Sequence, residues 1–457
     1  MNRKAILFLT SWLQDIGRKP LVIRGARQVG KTWIVRELAR LMNKQLIELN
    51  FERNLRWRDL FSSNNSKEIL LNIESELNIT IKSENSLLFL DEIQAFPELL
   101  AKLRWFYEDM PELPIIAAGS LLEFVLAQHE FSMPVGRIQY LHIEPLSLEE
   151  FLSAHGEEKL LEFLASWQWD KTIPMSIHEK LLNYTKEYML VGGMPEAVFS
   201  WQTLRSLEKV EQIHHNILAT YRDDFSKYSK RVSTNRLDEI LLTIPKSLGE
   251  KFVFSRVNKQ VPTEIIKSGL QLLCMARVCH KVLASYGNGI PLGAEIKEGY
   301  MKIIFLDTGL ISSLLDVKLH QLKRLDAVTF VNQGGLSEQL VGQLLRVLEP
   351  EYKEPKLYYW LRDAKSSNAE IDYLIQYDRK VIPVEVKAGS TGSLKSLHQF
   401  MQTKNLSHGL RINADLPSVT DVNVKTSTGD SVNYQLLSLP FYLIEQLNRL
   451  CDNKICS

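Results

Sequence analysis

Short apolar runs alternate along the chain with longer stretches of helical period, a pattern that predicts strands packed against helices. Pro20 to Arg24 predicts a short buried strand, Trp33 to Met42 a helix, and Ser86 to Leu90 and Pro114 to Ala118 two further buried strands. Met1 to Leu13 has Arg3 and Lys4 before an apolar run, superficially like a secretion signal. Thr10 and Ser11 interrupt that run and no small-residue cleavage site follows, so an amphipathic first helix is expected. From Leu146 to Lys230 the period is helical, broken at Val191-Gly-Gly-Met-Pro195, where one helix ends and another begins. Arg236 to Ile244 and Thr263 to Leu273 read as helices around a short extended piece, Lys251 to Val257, with a strand at Val278 to Ser285; this order is compatible with a winged helix-turn-helix. After a strand at Lys302 to Leu306 and the turn Asp307-Thr-Gly309, a new unit begins near Asn332-Gln-Gly-Gly335. It is expected to hold a helix, Leu336 to Leu348, and strands at Leu357 to Leu361, Ile371 to Gln376 and Lys380 to Lys387.

At 457 residues the chain exceeds what one core usually organises, so two to four domains are expected. Lysine and arginine total 55 against 54 acids, so no bulk charge draws the molecule to nucleic acid or membrane, and any such binding needs a local patch. Four cysteines, bunched as Cys274 with Cys279 and Cys451 with Cys456, do not make a disulfide framework, and a cytoplasmic setting is expected. The two pairs, with His280, lack close metal-ligand spacing and are read as inert thiols. No stretch approaches the length of a membrane span.

The chemistry begins at Gly25-Ala-Arg-Gln-Val-Gly30-Lys31-Thr32, placed between a strand and a helix. That spacing lets a glycine loop turn its backbone N–H groups inward on phosphates, while the following helix presents its positive end. Lys31 then reaches the outer phosphates of ATP and the Thr32 hydroxyl binds Mg2+. Amides of Gly25, Gln28, Val29, Gly30, Lys31, Thr32 and Trp33 line the cradle. The strand Ser86 to Leu90 ends in Asp91-Glu92, at the carboxyl edge where a parallel sheet binds ligands. Asp91 is expected to hold magnesium and Glu92 to polarise the attacking water. Gly119-Ser120 ends the next strand, and Ser120 has two readings that do not exclude each other, a polar sensor of the terminal phosphate and the N-cap of a helix Leu121 to Ala127. Met133-Pro-Val-Gly136-Arg137 is a turn whose arginine is either a surface charge or a finger for the transferred phosphoryl, often supplied by a neighbouring subunit.

Two later features bear on partners. Lys227, Lys230, Arg231, Arg236, Lys246, Lys251, Arg256, Lys259 and Lys267 form a basic cluster that is either a DNA-phosphate surface or a solvated face. In Val384-Glu385-Val386-Lys387 the strand period puts Glu385 and Lys387 on one face. If the strand carrying Asp372 pairs beside it and Glu338 arrives from the helix, the four residues form a D…E-x-K set able to bind magnesium and activate water for phosphodiester cleavage. The bland alternative is a half-buried edge strand with charged outward residues.

On these motifs the chain resembles a prokaryotic family of AAA-type P-loop ATPases with a winged-helix region and a C-terminal restriction-nuclease-like domain. The resemblance runs through Gly25 to Thr32, Leu88 to Gln94, Gly119-Ser120, Pro134 to Arg137, Gly192 to Glu196, Phe305 to Gly309 and Gly334 to Lys387. It implies an α/β fold: a P-loop parallel sheet with helices (residues 1–160), a helical lid or linker (161–233), a winged-helix-like region (234–325) and a small α/β restriction-nuclease-like domain (326–457). It implies nucleotide contact at Gly30, Lys31 and Thr32, magnesium and hydrolysis roles at Asp91 and Glu92, and strengthens Arg137 as a finger. Ala118 departs from the family's usual threonine, which removes one polar contact. The expected function is a magnesium-dependent ATPase acting on or with DNA, binding ATP or ADP as a homo-oligomer. The rival is a nucleotide-gated switch for a protein partner with an inactive nuclease-like tail. A phosphotransferase is disfavoured because Asp91-Glu92 suits water activation.

Overall fold

The structure, a computed structural model, describes residues 2–124, 136–228, 232–317, 319, 333–362, 369–388, 393–426 and 429–455. Met133 to Val135, Lys230, Arg231, Asn332, Cys456 and the helix expected at Leu121 to Ala127 beyond Phe124 lie outside the described residues. The chain forms two compact units, the first made of residues 1–144 with 275–277 and 350–354, the second of 145–274, 278–349 and 355–457. Among the described residues, no helix is long and apolar enough to cross a membrane.

The first unit is built on five strands, β1 (Leu21–Arg24), β2 (Gln45–Asn50), β3 (Ser86–Asp91), β4 (Ile115–Ala118) and β5 (Gln139–His142), in the order β2-β3-β4-β1-β5. Every neighbouring pair is parallel. Parallel sheets carry helices on both faces, which is why the central strands read as unbroken apolar runs: all six residues of β3 are buried. Leu88, Leu90, Ile115 and Ala117 pack with Ile69, Ile73, Leu99, Leu103 and Phe106 from helices Ser66–Leu77 and Leu99–Asp109. Each fully buried leucine or phenylalanine here contributes roughly 1.5–3 kcal/mol. The helix Ser66–Leu77 starts where the Asn65 side chain accepts from the N–H groups of Lys67 and Glu68, and ends at Asn78 in left-handed geometry.

The second unit opens with helices from Leu148 to Thr243, then builds one eight-stranded mixed sheet. Its strands are β6 (Cys279–Ser285), β7 (Ile296–Phe305), β8 (Leu357–Leu361), β9 (Glu370–Tyr377), β10 (Lys380–Val386), β11 (His408–Asn413), β12 (Ser418–Lys425) and β13 (Ser431–Pro440), ordered β12-β13-β11-β10-β9-β8-β6-β7. Strands β6 and β7 form an antiparallel hairpin next to helices Thr234–Thr243 and Thr263–Met275 in the chain, the order expected of a winged helix. The outer edge of β6, however, pairs in parallel with β8, Val282 opposite Leu357, so the hairpin is continuous with the sheet of the last third. Strand β10 pairs antiparallel with β9 and parallel with β11, with the helix Lys395–Lys404 between β10 and β11. The helix Gln333–Arg346 packs on β7, β8 and β10.

Two motifs carried by the resemblance meet inside this unit. The Asp307 carboxylate accepts from the Gly193 N–H at 2.6 Å, from the Gly309 N–H at 3.0 Å and from the Gln343 amide at 3.0 Å. Gly192-Gly193 and Asp307-Thr-Gly309 are therefore two halves of one buried junction. Burial pushes the Asp307 carboxyl up to about 6 against these donors.

Candidate functional site

The strand-loop-helix order places the phosphate loop at the carboxyl edge of the first sheet. β1 ends at Arg24, the loop follows, and the helix Lys31–Leu41 starts immediately after Gly30, whose φ of 92° is left-handed backbone that a side chain at this position would strain. Arg3, which the sequence offered only as a charge before an apolar run, is buried here. Its guanidinium donates to the Val29 carbonyl at 3.3 Å and to the Glu144 carbonyl at 2.7 Å, tying the loop to the chain beyond β5.

Lys31 is buried, and its ammonium donates to the carbonyls of Gly25 at 3.1 Å and Ala26 at 2.7 Å, curling back over the loop where phosphate oxygens would compete for it. Burial lowers its pKa to about 8, opposed by the charges of Glu92 and Asp91. The Thr32 hydroxyl donates to Asp91 Oδ2 at 3.1 Å, so the expected magnesium pair is already in contact. Asn50, at the end of β2 and directly opposite Asp91 in the ladder, donates to the same oxygen at 3.2 Å. Burial and the neighbouring Glu92 charge raise the Asp91 carboxyl to about 6. Glu92 itself sits at φ 53°, an outlying geometry that turns its side chain out of the strand line toward Gln94, whose amide donates to Glu92 at 2.5 Å and to Glu52 at 3.0 Å. Asn50 and Gln94 carried no signal in the sequence, because their roles arise only from strand pairing and from the turn after β3.

Ser120 follows β4, the strand between β1 and β3, and its buried hydroxyl has no hydrogen-bond partner among the described residues. An orphaned buried hydroxyl at that edge suits the sensor reading. Arg137 lies two residues before β5, whose first residue, Gln139, pairs with Leu21 at the amino end of β1. At about 3.3 Å per strand residue, Arg137 is on the order of 15–20 Å from its own phosphate loop, beyond a side chain's reach. It donates instead to Glu108 at 3.2 Å, half-exposed.

Residues 17–152 match a family model described as an AAA domain. The first unit is an AAA-type P-loop domain. Two further models match, each described as a domain of unknown function, over residues 182–321 and 333–433. A comparison with curated proteins found no match. Among solved structures, the Aeropyrum pernix ORC2 protein, in ADPNP and ADP complexes, is 14% identical, covering 69% of this chain and 92% of its own, with a TM-score of 0.30. The Thermotoga maritima RuvB Holliday junction branch migration motor is 13% identical, covering 62% and 90%, also at 0.30. A Pyrococcus horikoshii signal transduction ATPase with a tetratricopeptide repeat sensor is 13% identical, covering 77% and 46%, at 0.25. At those scores the likenesses carry no argument about fold or function; the AAA domain rests on the family match, the sheet and the loop.

The residues of the AAA domain fit a magnesium nucleotide. A flexible ammonium rests on loop carbonyls, a hydroxyl and a carboxylate are paired, and an orphaned hydroxyl stands at the same edge. Titration then sets a window. Below pH about 6 Asp91 takes up a proton and would be a weaker partner for a magnesium ion; above pH about 8 the free protein's Lys31 loses its charge. Affinity for a fluorescent ATP analogue with magnesium is expected to be highest between these values and to fall on both sides, measured across roughly pH 5 to 9. A profile flat through both limits would contradict that assignment.

The second unit gathers the other predicted set. Glu338, on the helix Gln333–Arg346, and Asp372, on β9, both reach the Lys302 ammonium, at 2.9 Å and 3.7 Å, and Glu370 contacts it as well. Glu385 on β10 pairs with Lys387 at 2.7 Å. Asp372 raises the carboxyls of both Glu338 and Glu385, so the four expected residues share one cluster. Burial is the largest cause in each case, lifting Glu385 to about 7 and Glu338 well above the usual range. Burial also works against the Lys302 charge, but Glu338, Asp372 and Glu370 together hold its pKa well above the ordinary value. Sequence reasoning missed Lys302 altogether. Cys274 and Cys279 lie with their sulfurs 3.7 Å apart, and among the described residues no group of three or more His, Cys, Asp or Glu is arranged to hold a metal ion.

Proposed function

We propose that this chain is a magnesium-dependent ATPase whose catalytic centre is in the AAA domain. The observation that carries the reading is the contact of Thr32 with Asp91 at the end of the phosphate loop, with Glu92 next in the chain. Loop amides and the Lys31 ammonium would grip the triphosphate. Thr32 and Asp91 would hold the magnesium, directly or through water, and the ion would neutralise charge on the phosphates. Glu92 would orient and polarise the attacking water, and the Ser120 hydroxyl would hydrogen-bond the terminal phosphate. Glu92→Gln should keep ATP binding and slow phosphate release by at least about 100-fold; turnover equal to the parent would remove Glu92 from that role.

Arg137 would act on a neighbouring copy, since it stands at the amino end of β5 and its own loop is at the carboxyl edge. Arg137→Ala should leave nucleotide affinity unchanged and remove only the rise in specific turnover with protein concentration. Loss of activity at all concentrations equally would place its role within one chain.

Of the two uses of that hydrolysis, the pairing of four of the nine basic-cluster residues with acids favours a nucleotide-gated switch over a DNA-acting machine. Lys227 is paired with Asp224 at 2.9 Å and Lys267 with Glu264 at 2.8 Å. Arg236 contacts Glu239, Arg256 contacts Glu250, and the Lys251 ammonium lies 3.9 Å from the centroid of the Tyr300 ring. Lysines and arginines already facing acids release few counterions on meeting phosphates. ATP turnover is therefore expected to change little, less than about two-fold, when duplex or single-stranded DNA is added at low salt. A rise of ten-fold or more would restore the DNA reading.

A further inference from the structure

The second unit buries an ammonium among acids, and the lysine that supplies it comes from outside the segment that carries them. Lys302 lies on β7, the terminal strand, with β6 and β8 between it and the Asp372 strand β9. Its ammonium passes 5.4 Å from the centroid of the Tyr359 ring on β8. It ends 2.9 Å from Glu338 Oε2 and 3.7 Å from Asp372 Oδ1, in contact with Glu370 too. Only 3% of that side chain is exposed. Of the other acceptors, Asp372 Oδ2 takes the Val386 N–H at 2.7 Å and Glu385 Oε1 takes the Lys387 ammonium at 2.7 Å, while the single oxygen Glu385 Oε2 is buried without a hydrogen-bond partner among the described residues.

A hard divalent cation needs several carboxylate oxygens converging on one point at about 2.0–2.6 Å. In this cluster an ammonium already stands where Glu338, Glu370 and Asp372 converge, and a second cation beside it would be repelled through a poorly screened interior. The set that the sequence offered as a nuclease centre therefore does not fit a metal. We propose that Lys302 is the cluster's permanent cation: it takes the place of a divalent ion and locks β7, β9 and the helix Gln333–Arg346 together, so this set of acids is not a metal-dependent nuclease centre. Buried ion sets of this kind specify which elements meet more than they add stability, and removal of one partner leaves uncompensated charge. Lys302 is a positioning residue in this account, and the rest of the D…E-x-K set is structural.

The test begins with the full-length protein, free of nucleotide, titrated with Mn2+ and followed by the electron paramagnetic resonance of the free ion. No stoichiometric uptake that Asp372→Asn removes is expected, and plasmid incubated with the protein and Mn2+ should stay uncut. Lys302→Met should lower Tm by about 5 °C or more, with most of the loss recovered in Lys302→Met/Glu338→Gln. Mn2+ should raise the Tm of Lys302→Met and leave that of the parent unchanged, because removing the ammonium frees the carboxylates for the ion. Manganese uptake by the parent that persists in Asp91→Asn but is lost in Asp372→Asn would overturn the proposal. So would nicking lost in Asp372→Asn, a Lys302→Met protein as stable as the parent, or failure of Glu338→Gln to recover it. Should Lys302→Met not fold, the manganese titration and the cleavage assay on the parent decide the matter.

Discussion

Lys31→Ala is expected to reduce ATP turnover by at least about 100-fold while leaving the protein folded. The ammonium stands at the end of the loop motif, where the helix begins, and among the described residues it hydrogen-bonds the Gly25 and Ala26 carbonyls, which it can leave for phosphate oxygens. Its loss removes charge neutralisation at the outer phosphates, where negative charge redistributes during transfer. Folding should tolerate the change. Burial lowers the lysine's pKa to about 8, so in the folded state its charged form is disfavoured relative to the unfolded chain. That destabilising contribution is fully present below pH about 8 and relaxes as pH rises from there toward the unfolded value. Alanine removes it, and Tm at neutral pH should not drop. Phosphate release and thermal melting on the same preparation check both halves. Unchanged turnover in a folded variant would deny the loop its role.

Gly192→Ala is expected to be among the most damaging single methyl additions in the second unit. The backbone at Gly192 has φ +74°, and a Cβ there would fall 1.9 Å from Asp307 Oδ1 and 2.7 Å from its carboxyl carbon. The carboxylate cannot swing aside cheaply, because it holds the N–H groups of Gly193, Gly309 and Leu310 and the Gln343 amide. Left-handed strain of about 1–2 kcal/mol and overpacking of about 1–3 kcal/mol add to the loss of those bonds, giving roughly 3–5 kcal/mol. Melting of the variant should fall by about 5 °C or more. Gly299→Ala is a useful contrast, since its φ is also positive, at +82°, but a Cβ there meets nothing within 4 Å; it should cost only the backbone strain. Equal losses in the two variants would mean that the Asp307 junction is not what constrains Gly192.

How much of this was legible in the sequence follows from how local each feature is. The phosphate loop, Lys31 and Thr32 lie in one run of eight residues, and Asp91-Glu92 ends an apolar run, so spacing alone located the elements and the chemistry expected of them. Asn50 could not be read, because it joins Asp91 only through the parallel pairing of β2 with β3, and parallel partners leave no turn between them. Arg3 read only as a charge before the apolar run of an expected amphipathic helix, and its bonds to Val29 and Glu144 tie it to the loop. In the last third, strand period put Glu385 and Lys387 on one face and Asp372 on the neighbouring strand, and the structure brings them into one cluster with Glu338. The identity of the cation among those acids was invisible. A lysine within an apolar strand reads as an outward edge residue, and nothing in Met301-Lys302-Ile303 announces a side chain that meets acids from β9 and from the helix Gln333–Arg346. The same holds for the pairing of β6 with β8, which joins residues 282 and 357 without a local signal.

The central claim rests on the AAA domain binding a magnesium nucleotide through these residues. Isothermal titration calorimetry of ATP into the full-length protein with magnesium, repeated with Thr32→Ala, tests it most directly. The account predicts saturable one-site binding in the parent, weakened by at least about ten-fold when the Thr32 hydroxyl is removed, equivalent to about 1.4 kcal/mol. Heat of dilution alone from a folded parent, or equal affinity in the two proteins, would contradict it.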